Sequence, residues 1–220
     1  MRIMKKLFDK VKQLFKFEQV VQEELIDTSK IQILHISDTP SEIHGDIIRL
    51  AERIKPDHII HTGDLVDELK IGEQEQQTYR YLRLLTDFVG KLKELDTELW
   101  VVPGNHDCIN TITNLSYYQN GEIKIISPGN SLTIAGSEFI CAHYLEDLFL
   151  NDRQGDYYLY GHNYDLPQTG CFTSDTKKPV ILNGVEAINL MQFPDETVNR
   201  FSYPRGTDHY RKYNKSMRLL

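Results

Sequence analysis

Three short apolar runs, residues 31–37, 58–62 and 99–102, each break off into a polar cluster. The clusters are Asp38, then Gly63-Asp64-Leu65-Val66-Asp67, then Gly104-Asn105-His106-Asp107. Runs of that length and β-branched content read as buried strands. The carboxyl ends of neighbouring strands are where open α/β sheets place their ligands. Two later runs end in the same manner, 139–142 in His143 and 157–160 in Gly161-His162. A chain that buries five strands while delivering their polar ends to a common rim is confined to a layered α/β architecture.

Helical patterns over 41–54 and roughly 73–95 separate the first three strands. Beyond Pro103, short runs at 123–126, 132–134, 139–142, 157–160, 180–182 and 187–190 have little helix between them, which predicts a second, more antiparallel sheet. The expected fold is α/β, two packed mixed β-sheets flanked by helices. A length of 220 residues suits one main domain, here 29–200, with a basic amphipathic helical extension at 1–28 and a basic, Tyr-rich, loosely held tail at 201–220.

The net charge of −7 conceals an asymmetry, because residues 1–16 and 200–220 each carry a net +5 and leave −17 between them. That acidic body disfavours a broad nucleic-acid footprint, whereas a cation in a carboxylate-rich site would offset it locally and admit a phosphate. Met4, Leu7, Phe8, Val11, Leu14 and Phe15 form one face of a helix whose other face is lysine-rich. Such a face fits peripheral contact with an anionic membrane, or packing on its own domain or a partner subunit. Cys108, Cys141 and Cys171 are odd in number and lack close pairing, as free thiols in a reducing compartment would be. No stretch reaches 18 apolar residues, and the expectation is a cytoplasmic protein, membrane-associated at most through residues 1–16.

Carboxylate, amide and imidazole donors together suit a borderline divalent cation such as Mn²⁺, Zn²⁺ or Fe²⁺. The ordered set Gly-Asp-x-x-Asp, Gly-Asn-His-Asp, strand-end His and Gly-His, spread over residues 31–190, resembles the signature of the calcineurin-like metallophosphoesterases. The resemblance implies hydrolysis of a phosphomonoester or phosphodiester, a small phosphate-ester substrate, by a metal-activated water. Asp64 would bridge two metal ions, with Asp38 on the first and Asn105, His143 and His162 on the second. His106 would protonate the leaving group or stabilise its charge, with Asp107 orienting the imidazole.

The sequence departs from that family at two places. Asp-x-His is replaced by Asp38-Thr39-Pro40, and Gly-His-x-His by Gly161-His162-Asn163-Tyr164. Both missing histidines belong to the first metal, which leaves three alternatives. One ion binds tightly while a hard ion such as Mg²⁺ or Mn²⁺ fills the first position weakly. Alternatively, His44 replaces the lost ligand and otherwise is a surface histidine. In the third, catalysis is lost and the fold serves as a scaffold or regulatory binding module. His35 and His61 lie within apolar strands and read as hydrogen-bonded core histidines. Asp67 reads as a backbone cap or a support for a ligand, and Trp100, Tyr79 and Tyr81 as packing residues.

Overall fold

The computed structural model describes residues 27–69, 77–118, 123–163 and 179–211; the basic segment 1–16, Tyr164, Cys171 and residues 212–220 lie outside them. The chain begins with three strand–helix–strand units. They run through β1 (Ile31–Ile36), α1 (Ser41–Ile54), β2 (His58–His61), α2 (Thr78–Lys93), β3 (Glu98–Val101), α3 (Ile109–Tyr118) and β4 (Ile123–Ile125), and the four strands pair in parallel. On the other side of β1, β9 (Ile188–Phe193) and then β10 (Thr197–Phe201) add antiparallel strands, completing a six-stranded sheet of order β10-β9-β1-β2-β3-β4. The second sheet holds β5 (Asn130–Ile134), β6 (Ser137–Cys141), β7 (Tyr157–Tyr160) and β8 (Val180–Asn183) in sequence order.

Alternation along the strands gives the first sheet two buried faces. Leu34 and Ile36 of β1, Ile59 of β2 and Leu99 and Val101 of β3 face the helices, where Ile47, Ala51, Ile54, Leu85, Phe88 and Leu92 cover them. Ile33, Ile60, Val102, Met191 and Phe193 face the other way and meet Phe139, Cys141, Leu159 and Leu182 of the second sheet. Helix α1 buries Ile43, Ile47, Leu50, Ala51 and Ile54 at helical spacing, then stops at Lys55, which turns left-handed (φ 54°) and returns its N–H to the Ala51 carbonyl just before Pro56. Truncating a ring such as Phe88, fully buried against this helix, costs ~3–5 kcal/mol in comparable cores.

Three sequence expectations need correction. The sequence pattern puts the runs at 123–126 and 187–190 in the second sheet, but β4 and β9 sit in the first, at one edge and beside β1. The cause at β4 is α3, whose Asn-, Ser- and Tyr-rich sequence has weak helix propensity yet supplies the crossover that makes β4 parallel to β3. The second sheet is also less antiparallel than expected. Among the described residues β5–β6 is a hairpin, while β6, β7 and β8 pair in parallel. Residues 201–211 read as the start of a loose tail, yet Phe201 and Arg211 are buried and the short helix α4 (Thr207–Tyr210) packs near α1. Cys108 and Cys141 are free thiols. Among the described residues no helix is long and apolar enough to cross a membrane.

Candidate metal centre

The parallel strands of both sheets end on one rim, and there the chain turns sharply. Asp38 follows β1, Asp64 follows β2 and His162 follows β7, and all three take left-handed conformations, with φ of 51°, 57° and 65°. Non-glycine residues in that region are uncommon, and a set of them at one place marks backbone strain held by its surroundings. The glycines beside them permit the close approach. A Cβ on Gly161 would lie 1.9 Å from Ser37 Oγ and 2.7 Å from Asp38 Oδ2, and one on Gly104 would lie 2.2 Å from Asp64 Oδ1. Gly63 needs its positive φ of 105° and would place a Cβ 2.4 Å from His143 Nδ1.

These turns bring one ligand atom each from Asp38, Asp64, His143 and His162 within 4.8 Å of one another. His143 Nδ1 lies 2.7 Å from the Thr62 carbonyl, which accepts only a proton, so Nδ1 carries the hydrogen and Nε2 faces the site. Around Nε2 stand Asn105 Oδ1 at 2.9 Å, His162 Nδ1 at 3.1 Å and Asp64 Oδ2 at 3.5 Å. Asp38 Oδ2 accepts the Ser37 hydroxyl at 2.5 Å and the His162 N–H at 3.0 Å. Such a crowd of carboxylate, amide and imidazole acceptors requires positive charge at its middle. Without a cation, that charge is a proton: burial alone would lower the His143 pKa, but the Asp64 carboxylate overrides it and pushes it up to about 10. Burial likewise raises Asp64, and the His143 and His106 imidazoles more than reverse this, holding it at about 2. The donor set therefore fits a borderline divalent cation that competes with a proton.

Next to this set lies His106, and here two expected roles exchange. His106 Nδ1 is held by Asp67 Oδ1 at 2.8 Å, with the Asp67 carbonyl at 3.1 Å and Asp64 Oδ2 at 3.3 Å. Asp107, expected to orient this imidazole, faces elsewhere. Its Oδ2 accepts the N–H groups of Asp64 (2.8 Å) and Gly104 (2.9 Å), and its Oδ1 accepts the Leu65 N–H (3.0 Å) and the Tyr81 hydroxyl (2.9 Å). Asp107 thus ties the β2 and β3 loops together, and Asp67 holds the histidine. Burial raises the Asp67 carboxyl to about 6, with His106 pulling it down.

His44 is neither a replacement ligand nor a surface histidine. It is buried in α1, its Nε2 donates to the Thr39 and Leu65 carbonyls at 3.1 and 2.9 Å, and its ring stacks on Phe88 at 3.9 Å. Thr39 also turns away from the rim, its hydroxyl between His61 Nε2 (2.8 Å) and the Leu65 carbonyl (3.1 Å). His61 and His35 are core histidines, the latter between Thr62 Oγ1 and Asn189 Nδ2. Tyr81 is buried as expected, whereas Tyr79 is exposed.

Sequence reasoning missed four residues at this rim. Ser37 bonds Asp38, and Tyr144 sets its ring 4.3 Å from that of His162. Tyr203 and Arg211 reach the Ser37–Asp38 backbone from the far end of the chain. Only Ser37 and Tyr144 carried a signal, as neighbours of ligands.

The profile of the family described as calcineurin-like phosphoesterase matches residues 31–211. No curated protein matches the sequence. Among solved structures, a novel archaeal phosphodiesterase superposes with a TM-score of 0.54 at 19% identity, over 78% of this chain and 99% of its own. Yfce, a phosphoesterase from E. coli, gives 0.44 at 12% identity, over 78% and 99%. A metallophosphoesterase from Sphaerobacter thermophilus gives 0.41 at 14%, over 82% and 92%. At this identity the likeness to the archaeal protein is one of fold.

Proposed function

Since the chain belongs to the calcineurin-like phosphoesterase family, whose members use divalent metals, we propose that it hydrolyses a phosphomonoester or phosphodiester with the help of a bound divalent cation. The convergence of Asp38, Asp64, His143 and His162 within 4.8 Å carries this reading. Asp64, Asn105, His143 and His162 would hold the cation, with Asp38 beside them. When bound, it supplies a lowered water pKa and neutralises charge developing at phosphorus.

The remaining chemistry belongs to the chain. Water adds to phosphorus and gives up a proton to solvent, the bond to the leaving oxygen breaks, and that oxygen takes a proton from His106, which solvent then restores. With Nδ1 pinned on Asp67, Nε2 is the nitrogen that delivers the proton, and the Asp67 carboxylate stabilises the imidazolium before transfer. Asp107 acts earlier, by shaping the loops that carry Asp64 and His106.

Thr39 turns inward and Pro40 has no donor, so we assign one tightly held ion of the Mn²⁺, Zn²⁺ or Fe²⁺ type, with Mg²⁺ or Mn²⁺ binding weakly between Asp38 and Asp64. The same loss favours a second reading, a weakened scaffold or regulatory binding module. The two readings separate on an aryl phosphomonoester and an aryl phosphodiester assayed with Mn²⁺, Mg²⁺ and Zn²⁺. Hydrolysis that requires metal and is lost in His106→Ala supports the enzyme, and no turnover above His106→Ala with any metal supports the scaffold. A cytoplasmic location, with contact of residues 1–16 to anionic membranes, belongs to this proposal and predicts sedimentation with anionic vesicles.

A further inference from the structure

We propose that Arg211, together with Tyr203, is a positioning residue for the ligand Asp38, a clasp from the end of the domain that holds the left-handed turn after β1 and sets it against the second sheet. The inference rests on the metal centre proposed above. Arg211 is only 4% exposed. Its Nε donates to the Asp38 carbonyl at 2.7 Å, its Nη2 to the Ser37 carbonyl at 3.2 Å and its Nη1 to the Val185 carbonyl at 2.7 Å. The guanidinium carbon lies 4.2 Å from the centre of the Tyr203 ring. The Tyr203 hydroxyl accepts the Ser37 N–H at 3.0 Å and donates to the Gly184 carbonyl at 2.6 Å, with the Ser37 carbonyl at 3.1 Å. Asp208 Oδ1 lies 3.4 Å from Nη1 on the exposed side.

Burying a guanidinium is costly unless its donors are met, and here the groups that meet them belong to the site. Ser37 and Asp38 end β1 in the first sheet, and Gly184 and Val185 follow β8 in the second. Ligands come from both sheets: Asp38, Asp64 and Asn105 from one, His143 and His162 from the other. One planar fork therefore spans the seam across which the cation must be gripped. The need is local. Thr39 and Pro40 supply no ligand, so after Asp38 a metal ion cannot tether the loop, and its left-handed backbone depends on protein groups. On the opposite side the Asp38 and Thr39 N–H groups donate to the Gly63 and Asp64 carbonyls, so the turn is held from both flanks.

The test compares full-length wild type, Arg211→Lys, Arg211→Met and Tyr203→Phe by calorimetric titration with Mn²⁺, beside urea unfolding without metal. Lysine keeps the charge but lacks the fork, and Tyr203→Phe keeps the ring under the guanidinium while losing the hydroxyl. Partners that orient metal ligands contribute roughly 10–100-fold to affinity, and the clasp predicts losses of about that size in each folded variant. A merely structural role would lower the urea midpoint and leave Mn²⁺ affinity at the wild-type value, and that result overturns the clasp. If the Arg211 variants do not fold, Tyr203→Phe decides by the same comparison. Failure of wild type to bind Mn²⁺ would refute the metal centre itself, and the clasp with it, and is told apart because it shows before any substitution.

Discussion

Asp67 holds His106 while Asp107 holds the β2 and β3 loops, and exchanging one oxygen of each for nitrogen separates their roles. Asp107 takes two donors on each carboxylate oxygen, three backbone N–H groups and the Tyr81 hydroxyl. In Asp107→Asn the amide fits best with its NH₂ toward Leu65 and Tyr81, because the Tyr81 hydroxyl can rotate to accept, while the Leu65 N–H is left facing a donor and its charge-assisted bond is lost. At ~1.5–3 kcal/mol for a bond to a charged group, the loss is at least ~1.5–3 kcal/mol, a large part of the ~5–15 kcal/mol that holds a domain together. Asp67→Asn keeps an oxygen for His106 Nδ1 at the same place, so its stability cost stays within ~1 kcal/mol. Without the carboxylate to stabilise imidazolium, its turnover falls by up to the ~10²–10⁴ that a general acid contributes. Urea unfolding followed by the single tryptophan, Trp100, partly buried between the sheets, reads the first quantity, and hydrolysis of an aryl phosphodiester with Mn²⁺ reads the second. Should Asp107→Asn unfold at the wild-type urea concentration while losing turnover, the carboxylate would be acting on the histidine and not on the loops.

Gly161→Ala should abolish both folding of the rim and Mn²⁺ binding, since its Cβ would overlap Ser37 Oγ at 1.9 Å; a variant with wild-type affinity would contradict the packing around Asp38. Gly90→Ala, inside α2 with nothing within 4 Å of the added Cβ, should stabilise the chain by ~1 kcal/mol in urea unfolding, and a loss would contradict the open space there. Burial lowers the His35 pKa to about 3, so the unfolded chain binds a proton below pH 6.5 that the fold refuses. This contribution is whole above pH 6.5 and drains as pH falls toward 3, ~2 kcal/mol by pH 5. The urea midpoint of His35→Asn should accordingly fall less between pH 7.5 and 5 than that of wild type, and equal slopes would refute the assignment.

Much of the rim could be read in the sequence because its chemistry is local. Gly63, Gly104 and Gly161 each stand one residue before a candidate ligand, Asp64, Asn105 and His162, and the strands before them are apolar runs with one hydrogen-bonding pattern to satisfy. What escaped was set by partners distant along the chain. Asp67 and Asp107 are both acids near a Gly-rich turn, and only the path of the β2 loop over β3 decides which meets the imidazole. His44 looked like a surface residue on a charged helix, yet the carbonyls of Thr39 and Leu65 gave it buried partners. Arg211 lies 173 residues from Asp38, and its basic neighbourhood has the composition of a solvated tail. The place of β9 between β1 and β10 was hidden for a similar reason: a run buried on both faces has no alternation to say which sheet it joins.

Metal content per chain, measured by plasma mass spectrometry on full-length protein purified gently without chelator, bears most directly on whether five polar strand ends grip a cation. Grown with Mn²⁺, Zn²⁺ and Fe²⁺ supplied, the wild type should retain at least one ion per chain, and the Asp64→Asn, His143→Ala double variant should retain none. A bare wild-type chain, or a double variant that keeps its metal, would contradict the assignment.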